Sequence, residues 1–286
     1  MKKINVKDVN LFIQRALKED IGQGDHTSMA CIPAKKSGVA SIFSKESGVI
    51  AGVKLATMII QRIDSGAKVR CFVKDGENVS KGQKIITLKS SVRNLLKAER
   101  IILNCMQRMS GIATVTNKMV KCLKGTKTKL LDTRKTTPSL RWMEKWAVRI
   151  GGGTNHRFGL YDRIMLKENH IHFGGGIKIS INKVKAYLRK RKSKLKIEIE
   201  VINLNEVNEI LSVGMVDRIL LDNMDIPMLK KAVQMINGRF ETEASGNITI
   251  ANAKKIAETG VDFISCGAIT HTYKSMDLSM LAQTVV

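Results

Sequence analysis

Apolar positions along this chain change their spacing as it proceeds. Val6, Val9, Phe12, Ile13, Ala16 and Leu17 fall on one face at helical intervals, predicting a helix within residues 1–20. The glycines of "EDIGQGDHTS" end it. From 38 to 90 short β-like runs, "GVASIFS", "GVIAG", "AKVRCFV" and "QKIITLKS", alternate with turns such as "KDGENV". Helical spacing returns within 54–64 and, without a proline, across 92–124. Residues 1 to about 110 therefore read as a small α+β domain, a sheet with helices against it.

After residue 125 apolar β-branched runs of about five residues alternate with helix-length segments. Runs without polar alternation are what parallel strands covered on both faces require. Strands are predicted to begin near 129, 163, 197, 218, 239 and 261. "LNEVNEILSVGM" reads as a helix, and "NITIANAKKIAETG" as another with a glycine stop. The pattern fits an α/β barrel, complete or incomplete, over residues 111–271. No GxGxxG follows the first strand, so a dinucleotide-binding sheet is disfavoured.

In a parallel barrel the chemistry lies at the carboxyl ends of the strands. The runs here end in polar clusters, which places Arg134, Lys135, Lys167, Glu200, Asp222, Ser245 and Gly267 at that rim. His156, Arg157 and His271 add to its positive charge. So many cations suit a small, multiply anionic ligand, because arginine pairs bidentately with carboxylate or phosphate. Glu200 and Asp222 can hold a magnesium ion with waters, or ribose hydroxyls. "SGN" (245–247) and "GAITH" (267–271) open helices, where backbone N–H groups receive anions. Taken singly, each residue has a plainer reading as a surface cation, a helix cap or half of an ion pair. Their order, each at the end of a different strand, is what points to a site. "HIH" (170–172) lacks a third ligand at a sensible spacing, so zinc is disfavoured. Asp25 and His26 read as a cap or brace of the N-terminal turn, the alternative being that they help close the site.

Composition changes this picture in three places. The chain has 49 basic and 25 acidic residues, a net +24, which normally points to a polyanion partner. Aromatics make up only 4%, too few for base-stacking platforms, and no nucleic-acid motif is present. The densest basic run, "KAYLRKRKSKLK" (185–196), reads as a solvated helix end before a strand. The five cysteines are scattered without a CxxC pair, which argues for reduced, mostly buried thiols. No run approaches the length of a membrane span, and "MKKINVKDVN" has no apolar core for a secretory signal. A cytoplasmic protein without membrane partners is the expectation.

The block "LLDTRKTTPSLRWMEKWAVRIGGGTNHRFGLYDRIMLKENHI" (130–171) resembles the signature of the quinolinate phosphoribosyltransferase family. The likeness extends through "ALKEDIGQGDHTS", "KAERIILNCMQRMSGIAT", "IEIEV", "ILLDNM", "EASGNI" and "GVDFISCGAITH", nearly the whole chain. It implies an N-terminal sandwich-like domain and a seven-stranded, incomplete α/β barrel, with residues 272–286 able to pack back on the first domain. It also implies a homodimer or higher assembly with shared sites. The implied reaction takes quinolinate and phosphoribosyl pyrophosphate to nicotinate mononucleotide, pyrophosphate and carbon dioxide, assisted by Mg2+. On matching positions, Arg134, His156, Arg157 and Lys167 bind quinolinate beside Lys135, and Arg100 reaches in from a partner subunit. Glu200 and Asp222 lie near ribose and metal. Ser245, Gly246, Gly267 and His271 surround the phosphates. Lys135, Lys167, Glu200 and Asp222 are the expected catalytic set. One departure is Ser139, where the family commonly has glycine. A relative associated with molybdenum transport shares parts of the signature and would act on another substrate. The excess charge has no account in the chemistry.

Overall fold

The computed structural model describes residues 6–283. The first stretch contains α1 (Val6–Ile21), α2 (His26–Cys31), β1 (Ser37–Ser44), β2 (Gly48–Val49), α3 (Val53–Ile63), β3 (Lys68–Cys71), β4 (Asn78–Val79), β5 (Lys84–Ser91) and α4 (Val92–Cys122). Next come β6 (Lys129–Leu131), α5 (Arg141–Ile150), β7 (Ile164–Leu166), α6 (Glu168–Gly174), α7 (Ile177–Lys190), β8 (Ile197–Val201) and α8 (Leu204–Val213). The chain continues with β9 (Arg218–Asp222), α9 (Ile226–Ile236), β10 (Glu241–Ser245), α10 (Ile250–Ala257), β11 (Phe263–Ser265), α11 (Ala268–His271) and β12 (Leu278–Gln283). The first five residues of the N-terminal helix prediction lie outside the described residues, as do 284–286.

Packing divides the chain into two units. The first takes the described residues up to Asn117, then Trp142–Gly152, and those from Tyr273 on. Its four-stranded antiparallel sheet has the order β12-β1-β5-β3. Ile42, Ile86 and Leu88 on that sheet are fully buried, as are Leu55, Ile59 and Ile60 of α3. Each such side chain contributes roughly 1.5–3 kcal/mol of transfer free energy. Asp25 caps α2 by accepting the Ser28 N–H at 3.0 Å. Phe12 of α1 meets Trp142 of α5 edge-on at 5.5 Å between ring centroids.

The second unit, Lys118–Arg141 with Gly153–Thr272, carries a parallel sheet of order β6-β11-β10-β9-β8-β7. Helices begin where the chain supplies caps: Asn203 accepts the Glu206 N–H before α8, and Asp225 accepts the Met228 N–H before α9. The strands start within two residues of each expected position. Of the seven strands expected, six form ladders; the seventh position is a single bridge, Thr154 beside Leu131. Among the described residues no helix is long and apolar enough to cross a membrane. The cysteines correct one expectation. All five are free, but only Cys105 and Cys266 are buried, whereas Cys31 and Cys71 are exposed.

Candidate active site

Directly paired residues in a parallel ladder point to the same side. Glu198 pairs with Arg218 and Arg218 with Glu241, while Glu200, Leu220, Glu243 and Phe263 form the next row. Asp222 and Ser245 pair one step further, at the carboxyl ends. One face of the sheet is therefore charged in its depth and polar at its rim.

The deep set is tightly paired. Arg218 donates to Glu243 at 2.7 Å and to Glu241 at 2.9 Å, and its guanidinium lies 3.9 Å from the Phe263 ring centroid. Glu198 and Glu243 have no exposed surface. Glu198 receives Arg163 at 3.0 Å and the His156 ring at 3.0 Å, and Glu243 lies 3.5 Å from the same ring. Burial alone would lower the pKa of His156. Its hydrogen bonds to Glu198 and Glu243 outweigh that and raise it to about 9. The Arg157 N–H, 2.7 Å from Nδ1, favours the neutral ring instead. Both carboxylates meet the ring at Nε2, and these two acidic neighbours outnumber the single N–H donor at Nδ1. The loop carrying His156 is fixed by buried Asp132, which accepts the His156 N–H at 2.8 Å and the Asn155 amide at 2.6 Å.

At the rim, Arg134 is exposed and Arg157 half-buried. Burial lowers the Arg157 pKa, and the charge of Arg134 lowers it further. Arg141 bridges their loops, donating to Thr136 Oγ1 and the Phe158 carbonyl, each at 2.9 Å. A Cβ on Gly267 would lie 3.0 Å from the Lys135 side chain and 3.1 Å from His271 Nε2, so the missing side chain lets both cations approach. The Thr270 hydroxyl donates to the Lys135 carbonyl at 2.8 Å. On the other side Lys167 pairs with Glu200. Lys167 also donates its backbone N–H to His170 Nδ1 at 3.1 Å, which gives the first histidine of "HIH" a local structural partner. A cleft of about 510 Å3 shares Glu200 with this rim and includes Asn169, His172, Ile202 and Glu206. Asp222 accepts from Asn223, whose own N–H donates to the Ser245 carbonyl at 2.9 Å.

The structure thus brings Arg134 beside Arg157, Lys135 beside Gly267 and His271, Lys167 onto Glu200, and Asp222 next to Ser245 and Gly246. Arg100 belongs to the first unit, on α4, where its exposed guanidinium meets Glu99 at 3.5 Å. Sequence reasoning missed Asp132, Arg141, Glu198, Arg218, Asn223 and Glu243. The signal for two of them, Glu198 and Glu243, was present: charges recurring every second residue inside otherwise apolar strands. Among the described residues, His156, Glu198 and Glu243 bring ligand atoms within 4.8 Å of one another. Arg163 and Arg218 already neutralise those carboxylates, which disfavours a cation there. Glu200 and Asp222 offer the hard oxygens that magnesium prefers.

Comparison with known proteins gives the family. The family profile described as quinolinate phosphoribosyl transferase, C-terminal domain, matches residues 112–281, and its N-terminal domain counterpart matches 25–110. A rice protein named nicotinate-nucleotide pyrophosphorylase [carboxylating], chloroplastic, is 46% identical over 97% of this chain and 78% of its own length. A Bacillus subtilis protein named probable nicotinate-nucleotide pyrophosphorylase [carboxylating] is 40% identical over 92% of this chain and 89% of its own. The crystal structure of NadC from Streptococcus pyogenes superposes with a TM-score of 0.93 at 36% identity, covering 98% of both chains. With both domains matched over almost the whole length and the basic rim in place, this chain belongs to the quinolinate phosphoribosyl transferase family.

Proposed function

We propose that this protein transfers the phosphoribosyl group of phosphoribosyl pyrophosphate to quinolinate, yielding nicotinate mononucleotide, pyrophosphate and carbon dioxide for NAD biosynthesis. Family membership supports the reaction class. The observation that carries the substrate is the half-buried Arg157 held against Arg134, with the His156 loop beside them. Such a cluster of like charges is stabilised by a ligand bearing two carboxylates. Quinolinate has two, and nicotinate one.

The ring nitrogen of quinolinate bonds to the ribosyl anomeric carbon as the bond from that carbon to pyrophosphate breaks. Positive charge develops on the sugar, and the Glu200 and Asp222 carboxylates stabilise it. Lys167 exchanges Glu200 for a substrate carboxylate as quinolinate enters. The ring nitrogen is then cationic, so the carboxylate beside it leaves as carbon dioxide. The released electron pair stays on the ring carbon and takes up a proton. Arg134, Lys135, Arg157 and Lys167 orient the ring and exclude water. Ser245, Gly246, Gly267 and His271 receive the phosphate groups. Magnesium, when bound, neutralises pyrophosphate, and Glu200 and Asp222 are the residues that would hold it, directly or through water.

The same reading makes the protein a homodimer or higher homo-oligomer in which Arg100 enters a partner's site. An Arg100→Ala protein mixed with a Lys167→Ala protein is expected to recover activity, because hybrids regain one site free of either change. It also makes the protein cytoplasmic, although the rice relative is named chloroplastic; fractionation of the source cells tests this. The deciding assay supplies quinolinate, phosphoribosyl pyrophosphate and magnesium, and follows nicotinate mononucleotide. Comparable kcat/KM for nicotinic acid would overturn the dicarboxylate assignment.

A further inference from the structure

Asn223 immediately follows Asp222 and has φ +53°, a left-handed conformation that asparagine tolerates better than most side chains. The chain bends at the carboxyl end of β9 and leaves Asn223 hydrogen-bonded to three neighbours. Nδ2 donates to Asp222 Oδ2 at 2.7 Å. Oδ1 accepts from Asn247 Nδ2 at 3.3 Å. The backbone N–H donates to the Ser245 carbonyl at 2.9 Å. Gly246 closes over this arrangement: a Cβ there would fall 2.1 Å from Asn223 Oδ1. Asn247, itself at φ +49°, passes the linkage on, since its carbonyl accepts from Asn252 in α10 at 3.0 Å.

We infer that Asn223 is a positioning residue for the phosphorylated pentose donor. It aims the Asp222 carboxylate at the sugar and ties that carboxylate to the Ser245–Gly246–Asn247 turn that meets phosphate. Sugar and phosphate are then read by one connected unit spanning two adjacent strand ends. The dicarboxylate acceptor, held by cations on other strands, does not depend on it. The inference rests on the proposed roles of Asp222 and Ser245.

Two substitutions separate its parts. Asn223→Gly keeps the left-handed backbone and removes both side-chain bonds. Asn223→Asp keeps the shape but replaces the donor to Asp222 with a second carboxylate. For both, KM is measured separately for phosphoribosyl pyrophosphate and for quinolinate, with thermal melting as the check on folding. The expected result for Asn223→Gly is a KM for phosphoribosyl pyrophosphate raised at least tenfold, with KM for quinolinate within threefold. Asn223→Asp should show the same split, because a carboxylate that repels Asp222 replaces the amide that donated to it. Unchanged constants in folded Asn223→Gly, or an equal rise in both KM values, would overturn the inference. Asp222→Asn is the control for the underlying reading. If it leaves kcat/KM untouched, the assignment of Asp222 fails; if it is impaired while Asn223→Gly is not, only the positioning role fails.

Discussion

The two ends of β8 carry charge in opposite ways. Its amino end is entered through Lys190, Arg191, Lys192, Lys194 and Lys196, all exposed, with no acidic residue between Gly175 and Ile197. Its carboxyl end delivers Glu200 to Lys167. Between them Glu198 is wholly buried and held by Arg163 and His156. The five residues from Lys196 to Glu200 thus run from solvated charge, through paired buried charge, to a partly open ion pair available for exchange. Charge becomes chemistry where the backbone sets opposing groups within reach and keeps water scarce. Elsewhere it mainly governs solubility and long-range attraction.

The sharpest way to break this contrast is at the rim. Arg134→Ala and Lys167→Ala should each lower kcat/KM by about a hundredfold or more, a barrier change of about 3 kcal/mol. Melting temperatures should stay near the parent's, since both side chains are substantially exposed. If both variants keep near-parental kcat/KM, the site lies elsewhere.

In the depth of the sheet the loss should fall on stability instead. Arg218→Ala removes the nearest cation from the buried Glu243 carboxylate, and breaking such a pair costs about 3–5 kcal/mol. Denaturant titration measures it; a cost below 1 kcal/mol would mean the network is relaxed by water.

The pH response sharpens the same point. Because the folded pKa of His156 is raised to about 9, its contribution is fully present below the ordinary 6.5 and fades as pH rises through 9. A shift of that size corresponds to at most about 3 kcal/mol. Comparing unfolding free energies at pH 6 and pH 10 for the parent and His156→Gln should show this slope only in the parent.

At the amino end the effect should be small. Replacing Lys190, Arg191, Lys192 and Lys194 with glutamine should leave quinolinate turnover within about threefold, under 1 kcal/mol. Retention on a polyanion column at low salt should fall. A collapse of turnover in the folded variant would make the run part of substrate capture.

The smallest change concerns Ser139, whose φ of +65° lies where glycine is free and serine is strained. Ser139→Gly is expected to stabilise by about 1 kcal/mol, read as a higher denaturation midpoint, because relief of left-handed strain exceeds the added chain entropy.

These positions also mark how far the sequence can be read. Strand starts and rim residues were legible because apolar runs and their polar ends are local patterns. Arg134, Lys167 and Glu200 needed only the rule about carboxyl ends. Arg218 and Glu243 escaped because their meaning depends on register: each looks like a solvent-facing charge until the neighbouring strand is laid beside it. Ser139 was visible as a departure, but its cost depends on the sign of a backbone angle. Asn223 was hidden beside a more conspicuous aspartate.

The pairing of β12 with β1 has a consequence for synthesis. On the ribosome, β1 emerges early and forms its ladder with β5, but its other edge waits for residues 278–283. By then every strand of the parallel sheet has been made, the last of them β11 at 263–265. The unit that starts first is therefore completed last. For most of translation it exposes one bare strand edge, the kind of surface on which nascent chains pair wrongly and chaperones act.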